Sequence, residues 1–203
     1  MSAGEAGVPP SGGPAAGVPA AGAPAAGVPD AAGGEPALRD TAPGDYPFGC
    51  LFRVRYSEID GQQIVFNAHY LTWFDTALAE FFRYHGIVYG SARDPGLEAP
   101  DVEGGEPVDF HTVRNLIDYH APVRFDEVME VCVRPGRIGR SSVTFELAIF
   151  VRGETTPRTT GQVVWVCAGI GDHASKPIPE RMRSAFEAAR NSERVLIDPV
   201  AID

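Results

Sequence analysis

The stretch YSEIDGQQIVFNAHYLTWFDTALAEFF, residues 56–82, joins two unlike patterns. Its first half is a polar loop with two carboxylates, Glu58 and Asp60, then Gly61 and the pair Gln62 and Gln63. From Asn67 the spacing turns helical: Leu71, Phe74, Leu78 and Phe81 form one stripe, with Tyr70, Trp73 and Ala77 beside it. Asn67 suits an N-cap and Gly86, after His85, suits a stop, so the pattern predicts a helix over 68–85, about 27 Å long. Its girth is apolar enough to predict a helix wrapped on several sides.

Reading outward, CLFRVRY at 50–56 is a strand candidate that ends where the polar loop begins. Residues 88–108 are rich in Gly, Pro and acids and read as a long loop. Four further strands are expected at 111–121, 127–135, 142–152 and 161–171; the clearest, SSVTFELAIFVRG, alternates Val143, Phe145, Leu147, Ile149 and Val151 with its other residues. The turn signals RPGRIGR and RGETTPR make these strands antiparallel neighbours. PIPERMRSAFEAAR reads as a closing amphipathic helix with proline near its start. Strands in a run with one long helix predict an α+β layer arrangement.

Residues 1–45 are almost wholly Ala, Gly, Pro and Val, in an approximate ten-residue repeat that cannot bury enough apolar surface to offset ordering entropy. A disordered tail over 1–45 and one domain over 46–203 are therefore expected. The net charge of −10 and the absence of a basic run argue against nucleic acid as a partner. No apolar run approaches a membrane span and no signal peptide opens the chain, so a cytoplasmic location is expected. Cys50, Cys132 and Cys167 are far apart and match no zinc spacing, so no metal and no disulfide framework is expected; Cys132 and Cys167, in strand-like runs, read as buried structural thiols.

If the long helix begins at Asn67, its first-turn amides lack acceptors within the helix and face outward along the positive end of its dipole. A carbonyl placed there is polarised, and a loop carboxylate beside it can attack an acyl carbon or activate water. A thioester suits this arrangement, because a thiol leaves without a strong general acid and no Ser/His/Asp or Cys/His set is visible.

The segment RYSEIDGQQIVFNAHYLTWFDTALAEFFR resembles the signature of the hot-dog-fold acyl-CoA thioesterases of the 4-hydroxybenzoyl-CoA thioesterase-like family. LIDYHAPVRFDEVMEV, GRSSVTFELAIF and SKPIPERMR resemble its later blocks in order, so the likeness spans about residues 48–190. It implies an antiparallel sheet wrapped around a long central helix, with sites formed between subunits of a homodimer or homotetramer. By position it implies Asp60 as the catalytic carboxylate, rather than Glu58, and the Asn67 amide as the group that polarises the thioester carbonyl. His69 and Tyr70, in the first helical turn, become candidate substrate contacts. Arg137, Arg140, Ser141 and Ser142 occupy the turn that similar proteins use for the phosphates of coenzyme A, and Lys176 is a further candidate. Gln63 stands where the family commonly has glycine. No cofactor is expected, since coenzyme A belongs to the substrate.

Two other functions fit the same fold. An enoyl hydratase or dehydratase needs a His and acid pair, for which His69 with Asp60 is the available choice. A non-catalytic acyl-CoA binder needs neither. His111 and His120 fall on expected strands with no evident metal partner, and Asp75 and Glu80 of the helix are assigned to structural hydrogen bonds or solvent.

Overall fold

Seven side chains of the long helix, Tyr70, Trp73, Phe74, Ala77, Leu78, Phe81 and Phe82, are buried at a spacing that makes one continuous stripe. Around that stripe the rest of the chain is laid down. The computed structural model describes residues 38–87, 108–170 and 172–198. Helix α1 runs Asn67–Tyr84, and a sheet of β1 (Phe48–Arg53), β2 (Val108–Tyr119), β3 (Val128–Ile138), β4 (Ser142–Val151), β5 (Thr159–Gly169) and β6 (Val195–Ile197) curls over it. The sheet order is β2-β5-β4-β3-β1-β6. Alternate residues Val131, Val133, Val143, Phe145, Leu147, Ile149, Val163 and Trp165 point inward onto α1 and are buried. This is the hot-dog arrangement that the resemblance implies.

All pairings among β1–β5 are antiparallel, but β6 lies parallel to β1, so the sheet is mixed rather than wholly antiparallel. Three residues leave no periodicity to read, and only the return of the chain after α2 (Glu180–Arg190) brings β6 to that edge. Helix α2 closes one end of the core through Met182, Phe186 and Ala189, with Phe186 against Phe82, Phe110 and Phe145.

Helix α1 starts one residue earlier than expected: Phe66, extended at φ −65 and ψ 135, occupies the N-cap position and Asn67 is already helical. Its end is as the sequence predicts. Gly86 adopts φ +62, and the amide of Ile87 donates to the Phe82 carbonyl, a Schellman closure with Ile87 buried beneath it. The wrap is not complete, however. Thr72 and Asp75 stay exposed, Asp75 on the flank of α1 that faces β2, the edge strand.

The β3 strand carries an extra residue between Pro135 and Ile138, past the point where β1 stops pairing at Val133. A proline is tolerated where no neighbour needs its amide, and the Arg190 guanidinium takes the freed carbonyls of Pro135 and Gly136. At β5, Gly161 is set by a close approach: a Cβ there would lie 2.6 Å from the Phe74 ring and 2.7 Å from the Leu116 carbonyl.

The expected tail lies outside the described residues over 1–37, as does the expected loop over 88–107. Within the rest of that tail the chain is packed. Thr41 is buried, bonding the Leu38 carbonyl and the Tyr46 hydroxyl, and Arg194 donates to the Pro43 carbonyl while pairing with the buried Glu130. Burial holds the Tyr46 phenol up at about 12. Tyr46 joins Cys132, Ala148 and Phe150 in a small second core on the outer side of the sheet. A chain beginning at Tyr46 is therefore expected to be less stable than one beginning at Leu38 by about 1–3 kcal/mol, the worth of one or two buried hydrogen bonds and the contacts around them. Equal urea midpoints for the two would contradict this.

Candidate active site

The polar loop of residues 56–66 folds back on itself as a small hairpin. Ile59 and Val65 bridge, the Asp60 amide donates to the Ile64 carbonyl at 2.9 Å, and the Phe66 amide donates to the Glu58 carbonyl at 2.9 Å. Val65 is buried and Ile59 packs against the core, which fixes the register, because a one-residue slip would turn both to solvent. Gly61, Gln62 and Gln63 make the tip. Gln63 has φ +60, a left-handed conformation that glycine adopts without steric cost. That accounts for the glycine common at this place in similar proteins. Gln63→Gly is expected to raise stability by about 0.5–1 kcal/mol; a lower thermal midpoint would show that the Gln63 side chain carries a contact of its own.

The hairpin treats its two acids differently. Glu58 is tied at both oxygens: Oε2 accepts from the Arg55 amide at 2.7 Å and Oε1 from the Trp73 indole at 3.2 Å. It clamps the loop to α1. Asp60 is half-buried, and its Oδ1 accepts from the Gln62 amide at 2.7 Å, while Oδ2 takes no hydrogen bond from the described residues. One anchored oxygen orients the carboxylate and leaves the other open. The same hairpin delivers the chain to Asn67, where the first-turn amides have no acceptor inside α1. The Asn67 carbonyl accepts from the Tyr119 hydroxyl at 3.2 Å, which fastens this end of α1 to the end of β2.

Of the two neighbouring candidates, His69 is half-exposed, with its ring edge-on to Phe66 at 6.2 Å. Tyr70 is buried to 3% exposure; its hydroxyl accepts from the Val123 amide, its ring packs on Tyr119 and Trp73, and burial raises its pKa. Tyr70 thus holds the 121–127 loop in place.

Arg137, Arg140, Ser141, Ser142 and Lys176 gather elsewhere. Arg53 pairs with Val128, so the Asp60 hairpin sits at the start of β3, whereas Arg137 to Ser142 lie at its far end. Ten strand steps at about 3.3 Å each put roughly 30 Å between the two groups. The far turn is rigid: Arg183 donates to the Gly139 and Arg140 carbonyls, the Ile178 amide donates to Arg140, and the Cys167 amide donates to Ser141. Lys176 forms an ion pair with Asp172 at 2.9 Å. Within one chain these residues do not meet Asp60.

A shallow groove of about 40 Å³ runs between α1 and β2, lined by Leu71, Phe74, Asp75, Leu78, Thr112, Asn115 and Val163. Asn67, Leu71, Asp75 and Leu78 follow one another along a single face of α1, so the groove leads away from the first-turn amides. Asp75, read from sequence as structural or solvated, is one of its walls. Helical spacing from Asn67 carried this signal; the contribution of β2 was not available without the fold.

The cysteines are inert, and His111 and His120 are engaged among the described residues. Burial pushes the Cys50 thiol to about 12 and Cys167 to about 11, and raises Cys132 as well, so none is a thiolate at neutral pH. His120 bonds the Thr160 hydroxyl at 2.8 Å, and burial lowers its pKa. His111 lies 3.5 Å from His173. Among the described residues no helix is long and apolar enough to cross a membrane.

Comparison with known proteins gives consistent matches. A sequence model of the thioesterase superfamily matches residues 62–157. A relative from Aquifex aeolicus is 31% identical over 104 residues, 51% of this chain and 73% of that protein. The acyl-CoA thioester hydrolase YbgC of Escherichia coli O157:H7 is 24% identical over 135 residues, 66% of this chain and 92% of that one. Among solved structures, a Pseudomonas aeruginosa PAO1 protein superimposes with a TM-score of 0.62 at 28% identity, over 76% of this chain and 99% of that chain. The 1,4-dihydroxy-2-naphthoyl-CoA thioesterase of Synechocystis shares the fold with a TM-score of 0.57 at 15% identity, over 68% and 94%.

Proposed function

The chain belongs to the thioesterase superfamily, and from that premise we propose that it hydrolyses the thioester of an aryl- or fatty acyl-CoA, with Asp60 and the Asn67 amide as its catalytic groups. Thioester hydrolysis is the activity of the superfamily; the assignment to these residues rests on one observation. Asp60 alone of the two loop acids keeps a carboxylate oxygen without a hydrogen-bond partner, on a hairpin that ends at the exposed amides of α1.

In this reading the thioester carbonyl lies against the Asn67 amide, which gains strength as the oxygen becomes negative. The free oxygen of Asp60 either bonds the acyl carbon, giving an anhydride that water then opens, or takes a proton from the water that attacks. Both routes consume one water and yield the carboxylic acid and the free thiol of coenzyme A. The hydratase reading has less support, because the His69 ring packs edge-on to Phe66 and bonds no carboxylate among the described residues. Asp60→Asn is expected to lower kcat for thiol release by about 100-fold or more, with KM little changed. Activity equal to wild type would pass the role to another group.

The site is completed by a second copy in this proposal. A groove of about 40 Å³ is far too small for an acyl group, for which pockets of roughly 300 Å³ or more are usual. The β2 edge beside it is twelve residues long, with Val113 and Leu116 exposed at 58% and 39%. Such an edge pairs readily with its like. A homodimer or homotetramer formed there deepens the groove, and a second subunit is the only source from which Arg137, Arg140, Ser141, Ser142 or Lys176 can reach a substrate held at Asp60. Leu116→Glu is expected to shift the protein from dimer or larger to monomer in light scattering, with most activity lost. A wild-type monomer with full activity would contradict it.

A further inference from the structure

Of the eight large apolar side chains exposed among the described residues, Tyr56 and Phe66 begin and end the Asp60 hairpin, Tyr119 bonds the Asn67 carbonyl that follows it, and Phe125 adjoins Arg124, which bridges Ile64. Two of them form a feature that the thioesterase chemistry leaves unused. The Val54 amide donates to the Glu127 carbonyl, and the Asp126 amide returns a bond to Val54, which extends the β1 pairing past Arg53. Just beyond, Tyr56 and Phe125 meet edge to face, with centroids 5.9 Å apart, while remaining 78% and 51% exposed. Burial cannot be what holds them there.

Arginines flank this ring pair. Arg55 and Arg124 are exposed, and neither forms an ion pair among the described residues. Their acidic neighbours are committed elsewhere. Glu58 takes the Arg55 amide and the Trp73 indole, Asp126 pairs with Arg53 at 3.1 Å, and Glu127 takes the Arg124 amide at 2.7 Å. Two guanidinium groups are thus left open in a chain of net charge −10.

The position matters as much as the charge. Arg124 bridges Ile64, whose carbonyl accepts the Asp60 amide. The backbone of Arg124 therefore stands two strand spacings, roughly 10 Å, from that of Asp60. Its long side chain extends the reach further.

We infer that Arg55, Tyr56, Arg124 and Phe125 form a docking site for the phosphate-bearing adenine nucleotide end of the acyl-CoA substrate, on the same chain that supplies Asp60. This rests on the thioesterase reading and deepens it. Guanidinium groups present paired N–H donors that match phosphate oxygens, and exposed aromatic rings stack on a base. The pantetheine arm spans the interval between the nucleotide here and the thioester at Asp60. The far turn of Arg137 and Arg140, roughly 30 Å along β3, then serves no substrate bound wholly within one chain. A carrier-protein thioester would present the same arm without adenine, and would use the arginines alone.

The test compares one acyl group on two carriers, coenzyme A and bare pantetheine, with full-length protein. In the Arg55→Ala/Arg124→Ala double variant, KM for the acyl-CoA is expected to rise about tenfold or more, with kcat within about twofold, while KM for the acyl-pantetheine stays unchanged. Tyr56→Ala/Phe125→Ala is expected to raise KM for the acyl-CoA alone. Calorimetry with adenosine 3′,5′-bisphosphate should show binding to wild type that the arginine variant loses. An unchanged KM for acyl-CoA, or an equal rise for both carriers, would overturn the site. If wild type cleaves neither thioester, the functional reading fails by itself, and the calorimetry still decides the nucleotide site: bisphosphate binding that survives in the variant removes it.

Discussion

Everything at the end of the fold that carries Asp60 depends on the burial of one helical stripe. Once Tyr70, Trp73, Phe74, Ala77, Leu78, Phe81 and Phe82 are enclosed by the sheet, α1 has a fixed direction and its amino end must emerge beside the ends of β1 and β2. The amides at that end cannot be satisfied by α1 itself. The hairpin of residues 58–66 takes up one of them, the His69 amide, at the Phe66 carbonyl, and carries Asp60 just before its tip. Core packing and site electrostatics are therefore two results of the same arrangement. Glu58, itself in the hairpin, joins them directly, since one oxygen accepts from the Arg55 amide just past the end of β1 and the other from the buried Trp73 indole.

The parts legible in the sequence are those written in local periodicity. The α1 stripe, five of the six strands and α2 can be read because each repeats a spacing of about two or 3.6 residues over enough length. Asp60 and Asn67 are legible for a related reason: both belong to one short segment, so their nearness needs no tertiary knowledge. Gln63 shows the limit of such reading. Its left-handed backbone follows from the hairpin, and a glutamine gives no hint of it.

What could not be read depends on which ends of strands lie together. Arg137 to Ser142 are candidates for the phosphates of coenzyme A by resemblance, and only the fold shows that β3 carries them to the opposite end of the sheet from Asp60 within one chain. Arg124 and Phe125 look like an ordinary turn between strands, yet bridging to Ile64 sets them beside Asp60. Composition misled at residues 38–45 in the same manner. They adjoin an Ala/Gly/Pro-rich repeat and read with it, but Thr41 and Pro43 are held by Tyr46 and Arg194, the latter 151 residues further along the chain.

The account stands on the thioester carbonyl lying at the Asn67 amide with Asp60 facing the acyl carbon. The most direct measurement is a crystal structure of the wild-type protein with a non-cleavable acyl-CoA analogue in which a methylene replaces the thioester sulfur. The account predicts the ketone oxygen about 3 Å from the Asn67 nitrogen, with Oδ2 of Asp60, not Oδ1, turned toward the carbonyl carbon. A ketone held away from the start of α1, with Asp60 turned toward solvent, would contradict it.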